Sequence, residues 1–138
     1  MTHVMPTQAL THAGVMEMLR AAVARAEEMG QPQCIVIVDA SGEVLGEIRM
    51  TGAKYLSRLS ARTKARTAAS IGAPSSAIPE AVRPAIAAAT QDAVTGLGGG
   101  LPIRVGGTLV GGIGVGSGTA EQDVEVGQAA LAAIGAEV

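Results

Sequence analysis

The chain has 138 residues, with ten Lys and Arg against twelve Asp and Glu, and it is 48% apolar but only 16% charged. A net charge of −2 and a single aromatic residue, Tyr55, argue against a nucleic-acid binder, which needs overall basic charge or stacking platforms. Cys34 is the one cysteine, which excludes an internal disulfide framework and a cysteine-built zinc cluster. No apolar run approaches the ~18 residues of a membrane span.

The length fits one domain over residues 1–138. So apolar a surface-to-core balance points to subunit interfaces, hence to a homo-oligomer. The start, MTHVMPTQAL, has neither a basic nor an apolar signal region, and the expected location is cytoplasmic.

The first predicted element is a helix over 8–29. Val15, Met18, Leu19, Ala22, Ala26 and Met29 recur at three- and four-residue spacing, with Thr7 as the cap and Gly30 and Pro32 as the stop. Two β-rich runs follow, 34–39 and 43–49, joined by Ala40-Ser41-Gly42 as a hairpin. The run Cys34–Val38 is apolar throughout, which predicts a strand buried on both faces. Residues 55–71 read as a second helix. A third is expected from a Ser76 cap to about Ala89, with Pro84 ending or kinking it.

Eleven of the nineteen glycines then crowd into 91–118, where strands are expected at 101–105 and 108–116 around a Gly106-Gly107 turn. The last helix, 120–136, has Glu121 and Asp123 in its first turn, where the helix dipole favours acids. Hairpins between helices make an α+β domain with an antiparallel sheet.

Half of the positive charge lies in 50–70, a stretch otherwise rich in Ala, Ser and Thr. Arg58, Arg62 and Arg66 form one stripe at i, i+4, i+8, read as a solvated face or a subunit contact. Lys64 lies about 200° round the helix from Arg62, among small residues. It either contacts an anion in a pocket or locks a buried acid such as Asp39 or Asp123.

Gly112, Gly114, Gly116 and Gly118 fall on one face of the last strand, with Leu109, Ile113 and Val115 on the other. A bare face admits something close to the backbone: a helix, a second subunit or a ligand. If it admits a ligand, Lys64 supplies charge and the Gly99-Gly100 turn supplies backbone N–H donors. No nucleotide-binding glycine motif occurs. His3 and His12 have no zinc-ligand spacing, so no metal site is expected, and no catalytic triad is present.

Taken together, Val38-Asp39-Ala40-Ser41-Gly42, Arg49-Met50-x-Gly52-Ala53, Lys64-Ala65-Arg66-Thr67-Ala68, Gly99-Gly100-Leu101-Pro102-Ile103 and Gly112 to Thr119 with Gln122-Asp123 resemble the haem-degrading domain family, GlcG-like or HbpS-like. The resemblance runs over about residues 8–136. It implies a profilin-like sandwich, an antiparallel sheet of about five strands covered by helices, in a tetramer or octamer. It also implies a small-molecule ligand, with haem, which some members bind, as the best single named one and the cofactor otherwise open.

The candidate ligand-binding residues are Arg49, Lys64, Gly99, Gly100, Gly116 and Ser117, with Lys64 the candidate catalytic group. The alternatives are a cofactor-free enzyme for a small anionic metabolite, with glycine N–H groups holding an oxyanion, and a scaffold without a reaction. The family's usual Arg-Met-Asp-Gly-Ala reads Arg-Met-Thr-Gly-Ala here, so Thr51 removes a carboxylate.

Overall fold

A computed structural model describes residues 2–138. Helix α1 spans His12–Glu28, strands β1 and β2 span Cys34–Asp39 and Val44–Arg49, and helix α2 spans Ser57–Ile71. Two single 3-10 turns at Ser75–Ala77 and Glu80–Val82 lead into a short helix α3, Arg83–Ala89. Strands β3, Gly100–Val105, and β4, Thr108–Gly116, precede helix α4, Ala120–Ala133. The strands form one antiparallel sheet in the order β2-β1-β4-β3. The sheet therefore has four strands, not about five. Each strand-forming run belongs to one of two hairpins, and β1 meets β4 at the centre.

Helices cover both faces. On one face α1 and α4 pack over Ile35, Ile37, Leu101, Ile103, Ile113 and Val115. On the other, Ala61, Ala65 and Ala69 of α2 pack over Cys34, Val36 and Val38. With both faces covered, β1 can be apolar at successive positions, as its sequence predicts. An ion pair between Arg25 and Glu125 ties α1 to α4 at the surface.

Several local expectations shift. Helix α1 begins one turn later than predicted, because Thr11 and not Thr7 caps it; Thr11 Oγ1 accepts from Gly14 N at 3.1 Å. Pro84 does not end a helix but lies in the first turn of α3, where a missing N–H costs nothing. The stretch before it forms only isolated turns, since Pro79 supplies no donor either.

Strand β4 carries a bulge: Ile103 pairs with Gly111 and Arg104 with Leu109, leaving Val110 unpaired. Val110 joins the α1–α4 core, and Leu109 turns instead towards the α2 C-cap, where a Cβ on Gly72 would lie 3.9 Å from its Cδ2. Leu109 thus leaves the face it shares with Ile113 in strict alternation. Among the described residues no helix is long and apolar enough to cross a membrane.

Candidate functional site

The candidate residues gather at the end of the sheet where β1 begins and β2 and β4 finish. Arg49, Cys34 and Gly116 are direct cross-strand partners, so they form one row on the α2 face. Behind the row lies the one buried ion pair among the described residues. Lys64 Nζ donates to Asp123 Oδ2 at 3.0 Å and to the Val115 carbonyl at 2.8 Å. Asp123 Oδ1 accepts from Gly118 N at 3.1 Å.

Asp123 is positioned by the first turn of α4, which Thr119 and Gln122 close with a reciprocal capping box. Of the two roles read for Lys64, anion contact and lock on a buried acid, the geometry is that of the lock. Two of its three N–H donors are taken inside the fold.

Gly99 and Gly100 sit directly against this pair. Gly99 has φ +120°, and a Cβ there would lie 2.7 Å from the Val115 oxygen and 3.0 Å from Lys64 Nζ. Gly100 N donates to Ser75 Oγ at 2.9 Å, and a Cβ on it would overlap the Lys64 carbonyl. The glycine face of β4 lies under α2: a Cβ on Gly114 would overlap the Ala61 carbonyl oxygen, and one on Gly112 that of Ala65. The α2 backbone itself fills the space between the small-residue helix and the bare strand.

Gly116 has more room, with Ser60 Oγ at 3.1 Å and the Ser57 oxygen at 3.2 Å from a built Cβ. Ser117 has φ +101°, a conformation that a non-glycine residue keeps only when its surroundings fix it. Its hydroxyl accepts from Lys54 N at 3.0 Å and its carbonyl from Gln31 Nε2 at 3.2 Å, so it pins two loops to the end of β4.

Arg49 is the member of the set that reaches solvent. Two concavities open beside it. One, about 520 Å³, lies between the end of α1 and the end of β2 and is lined by Val23, Ala26, Pro32, Ile48, Met50 and Thr51 among others. It continues along α1 into a groove of about 460 Å³ formed by Met16, Leu19, Val23 and Ile48. The other, about 400 Å³, lies on the α2 face between Arg49, Arg58 and Glu47, over Cys34 and Val36.

Burial pushes the Cys34 thiol up from its ordinary value, and the nearby Arg49 and Arg58 charges pull against that. The thiol donates to the Lys54 carbonyl at 3.5 Å. Among the described residues no group of three or more His, Cys, Asp or Glu is placed to hold a metal ion.

Sequence reasoning missed three participants. Arg58, expected on a solvated face or a subunit contact, is exposed and also lines a cleft with Arg49, a meeting that its helical spacing does not predict. Gln33 is fully buried, and neither end of its side-chain amide has a protein partner. Its Nε2 lies 2.7 Å from where a Gly118 Cβ would sit, beside Asp123. Ser75, just before the Ser76 expected as a cap, is buried and bridges Gly100 N to the Leu97 carbonyl. A serine inside a Pro-Ser-Ser turn carries no sequence signal for such a role.

A family model described as haem degrading protein HbpS-like matches residues 10–132. A corrinoid adenosyltransferase PduO from Citrobacter freundii is 36% identical over 134 residues, covering 94% of this chain and 40% of that protein. The chain thus spans about two fifths of the length of that relative. Among solved structures, a PduOC–heme complex superposes with a TM-score of 0.87 at 32% identity, covering 94% of this chain and 98% of that one. Protein ORFY of Klebsiella pneumoniae superposes with a TM-score of 0.93 at 29% identity, covering 100% and 99%.

Proposed function

Because this chain belongs to the HbpS-like haem degrading family, we propose that it is a small-ligand-binding protein, that haem is its ligand, and that it works as a homo-oligomer. The observation that carries the reading is the trough along α1 and β2. Met16, Leu19, Val23 and Ile48 make a mostly apolar wall, which runs on past Pro32 to Met50. Such a wall suits a flat apolar ring, for which the chain has no aromatic platform.

Haem iron takes a His, Met, Cys or Tyr ligand. His12 and Met16 stand one turn apart on α1 and are both exposed, and Tyr55 is exposed at the approach to α2. Arg49, at the far end of the trough, suits a propionate. The residues present therefore fit the group, which when bound supplies iron-centred redox and gas-ligand chemistry. In this reading Lys64, Gly99, Gly100, Gly116 and Ser117 form the frame that fixes the loops around Met50 and Lys54, and Lys64 holds Asp123 rather than a substrate.

Haemin titration followed at the Soret band tests the proposal. A saturable new band is expected, shifted in position by His12→Ala or Met16→Leu and lost in Ile48→Asp, which places a carboxylate in the trough. A wild-type spectrum equal to the sum of free haemin and protein would sink the proposal.

The oligomer reading rests on exposed apolar side chains that continue round the molecule. Val44, Leu45 and Ile48 lie on the open edge of β2, and Tyr55, Leu56 and Leu59 lie at the start of α2. An apolar, unprotected edge of this kind is normally covered.

A further inference from the structure

The chain has eight arginines, and six of them have a carboxylate or carbonyl partner. Arg20 pairs with Glu17, Arg25 with Glu28 and Glu125, and Arg62 with Glu47, while Arg66, Arg83 and Arg104 donate to the carbonyls of Gly42, Ile78 and Gly72. The two exceptions share one cleft. Arg49 makes no side-chain hydrogen bond among the described residues, and Arg58 makes only a long one, 3.4 Å, to the Tyr55 carbonyl one turn back. Both line the same cleft as Cys34, and Arg49 is its cross-strand partner on β2.

The cleft between them encloses about 400 Å³, within the range of small-molecule sites. Its floor is the Cys34 and Val36 side chains, both buried. Its one acid, Glu47, is drawn 3.7 Å from Arg62, whose Nε is itself buried without an acceptor. The cleft is thus lined by two guanidinium groups, while its one carboxylate is engaged by a third from outside it.

Two exposed guanidinium groups without a carboxylate partner at the rim of one cleft leave their N–H donors free for an anion. Guanidinium forks match the two oxygens of a carboxylate or phosphate. We infer that this cleft is a binding site for a small organic anion, whose carboxylate or phosphate head bridges Arg49 and Arg58 while its body lies on Cys34 and Val36. Arg49 and Ile48 border both this cleft and the apolar trough, whereas Arg58, Cys34 and Val36 line the cleft alone. The inference shares Arg49 with the haem reading, but Arg58 does not line the trough, so Arg58 separates the two.

The test is calorimetric titration of the full chain with inorganic phosphate and, separately, with succinate. Saturable binding of one or both is expected, with competition between them where both bind and weakening as sodium chloride is raised. The tighter of the two identifies the head group. Arg58→Gln and Arg49→Gln should each weaken binding by about tenfold or more, with unchanged melting temperature, while the remote Arg20→Gln should not. Arg58→Gln should also leave the haemin titration unchanged.

No saturation by either probe would overturn the inference, as would equal affinity in the Arg49→Gln/Arg58→Gln double variant. If that double variant instead dissociates an oligomer, the cleft holds a carboxylate of a second copy and the small-anion site is refuted.

Discussion

At Lys64 a charge has been taken fully inside the protein, which is tolerable only because its hydrogen bonds are met. The ammonium has Asp123 and the Val115 carbonyl, and the carboxylate has Lys64 and Gly118 N. Lys64→Met keeps most of the stem and strands Asp123, so unfolding free energy should fall by roughly 3–5 kcal/mol in chemical denaturation. Adding Asp123→Leu should restore much of that loss, because no uncompensated charge then remains. A Lys64→Met variant of unchanged stability would show that the pair contributes nothing.

A smaller effect is expected at Asp39. Burial raises its pKa, but hydrogen bonds from the Glu43, Ser41 and Gly42 region outweigh that and hold it below its ordinary 3.8. Its Oδ1 accepts from Ser41 N at 2.9 Å and Glu43 N at 3.1 Å, closing the β1–β2 turn. A depressed carboxylate stabilises the fold above the unfolded value. The unfolded chain binds the proton first, so this contribution is lost as pH falls below about 3.8 through the lower folded value. The stability difference between wild type and Asp39→Ala should therefore shrink in that acid window. A difference independent of pH would refute the role.

Between elements, the closest fit is α2 on β4. Alanines on the helix and glycines on the strand let the two backbones approach until no Cβ fits between them. Gly114→Ala should push α2 off the sheet and cost roughly 1–3 kcal/mol by overpacking. Gly116→Ala meets only Ser57 and Ser60 at 3.1 Å and beyond, and should cost clearly less. Thermal melts of the two variants make the comparison, and equal losses would contradict the graded fit. The period-two glycines and the run of small helix residues were legible in sequence as two bare surfaces. That each is the other's cover was not, because a strand face without side chains admits a helix, a subunit or a ligand equally well until the chain path is known. The bulge at Val110 was equally hidden, since one unpaired residue reverses the facing of Leu109 with no change in composition.

For the whole molecule, the covered faces of the sheet leave the β2 edge and the start of α2 apolar and open. The proposed oligomer predicts a sedimentation mass at micromolar concentration of at least twice the 13.7 kDa chain. Leu56→Glu with Leu59→Glu should reduce that mass while the far-ultraviolet spectrum is retained. A wild-type mass of one chain would refute the assembly.

The sequence by itself determined the α+β class, the four strands and three of the four helices to within a few residues, the doubly buried β1 and the family. All of these follow from local periodicity, turn residues and motif order. Tertiary structure decided the strand order, the pairing of Lys64 with Asp123 rather than Asp39, and the meeting of Arg49 with Arg58 across an uncovered strip of edge strand. The last two depend on which surfaces the chain brings together over separations of 59 and 9 positions. Spacing along a sequence carries no information about such contacts when several partners of the same charge are available.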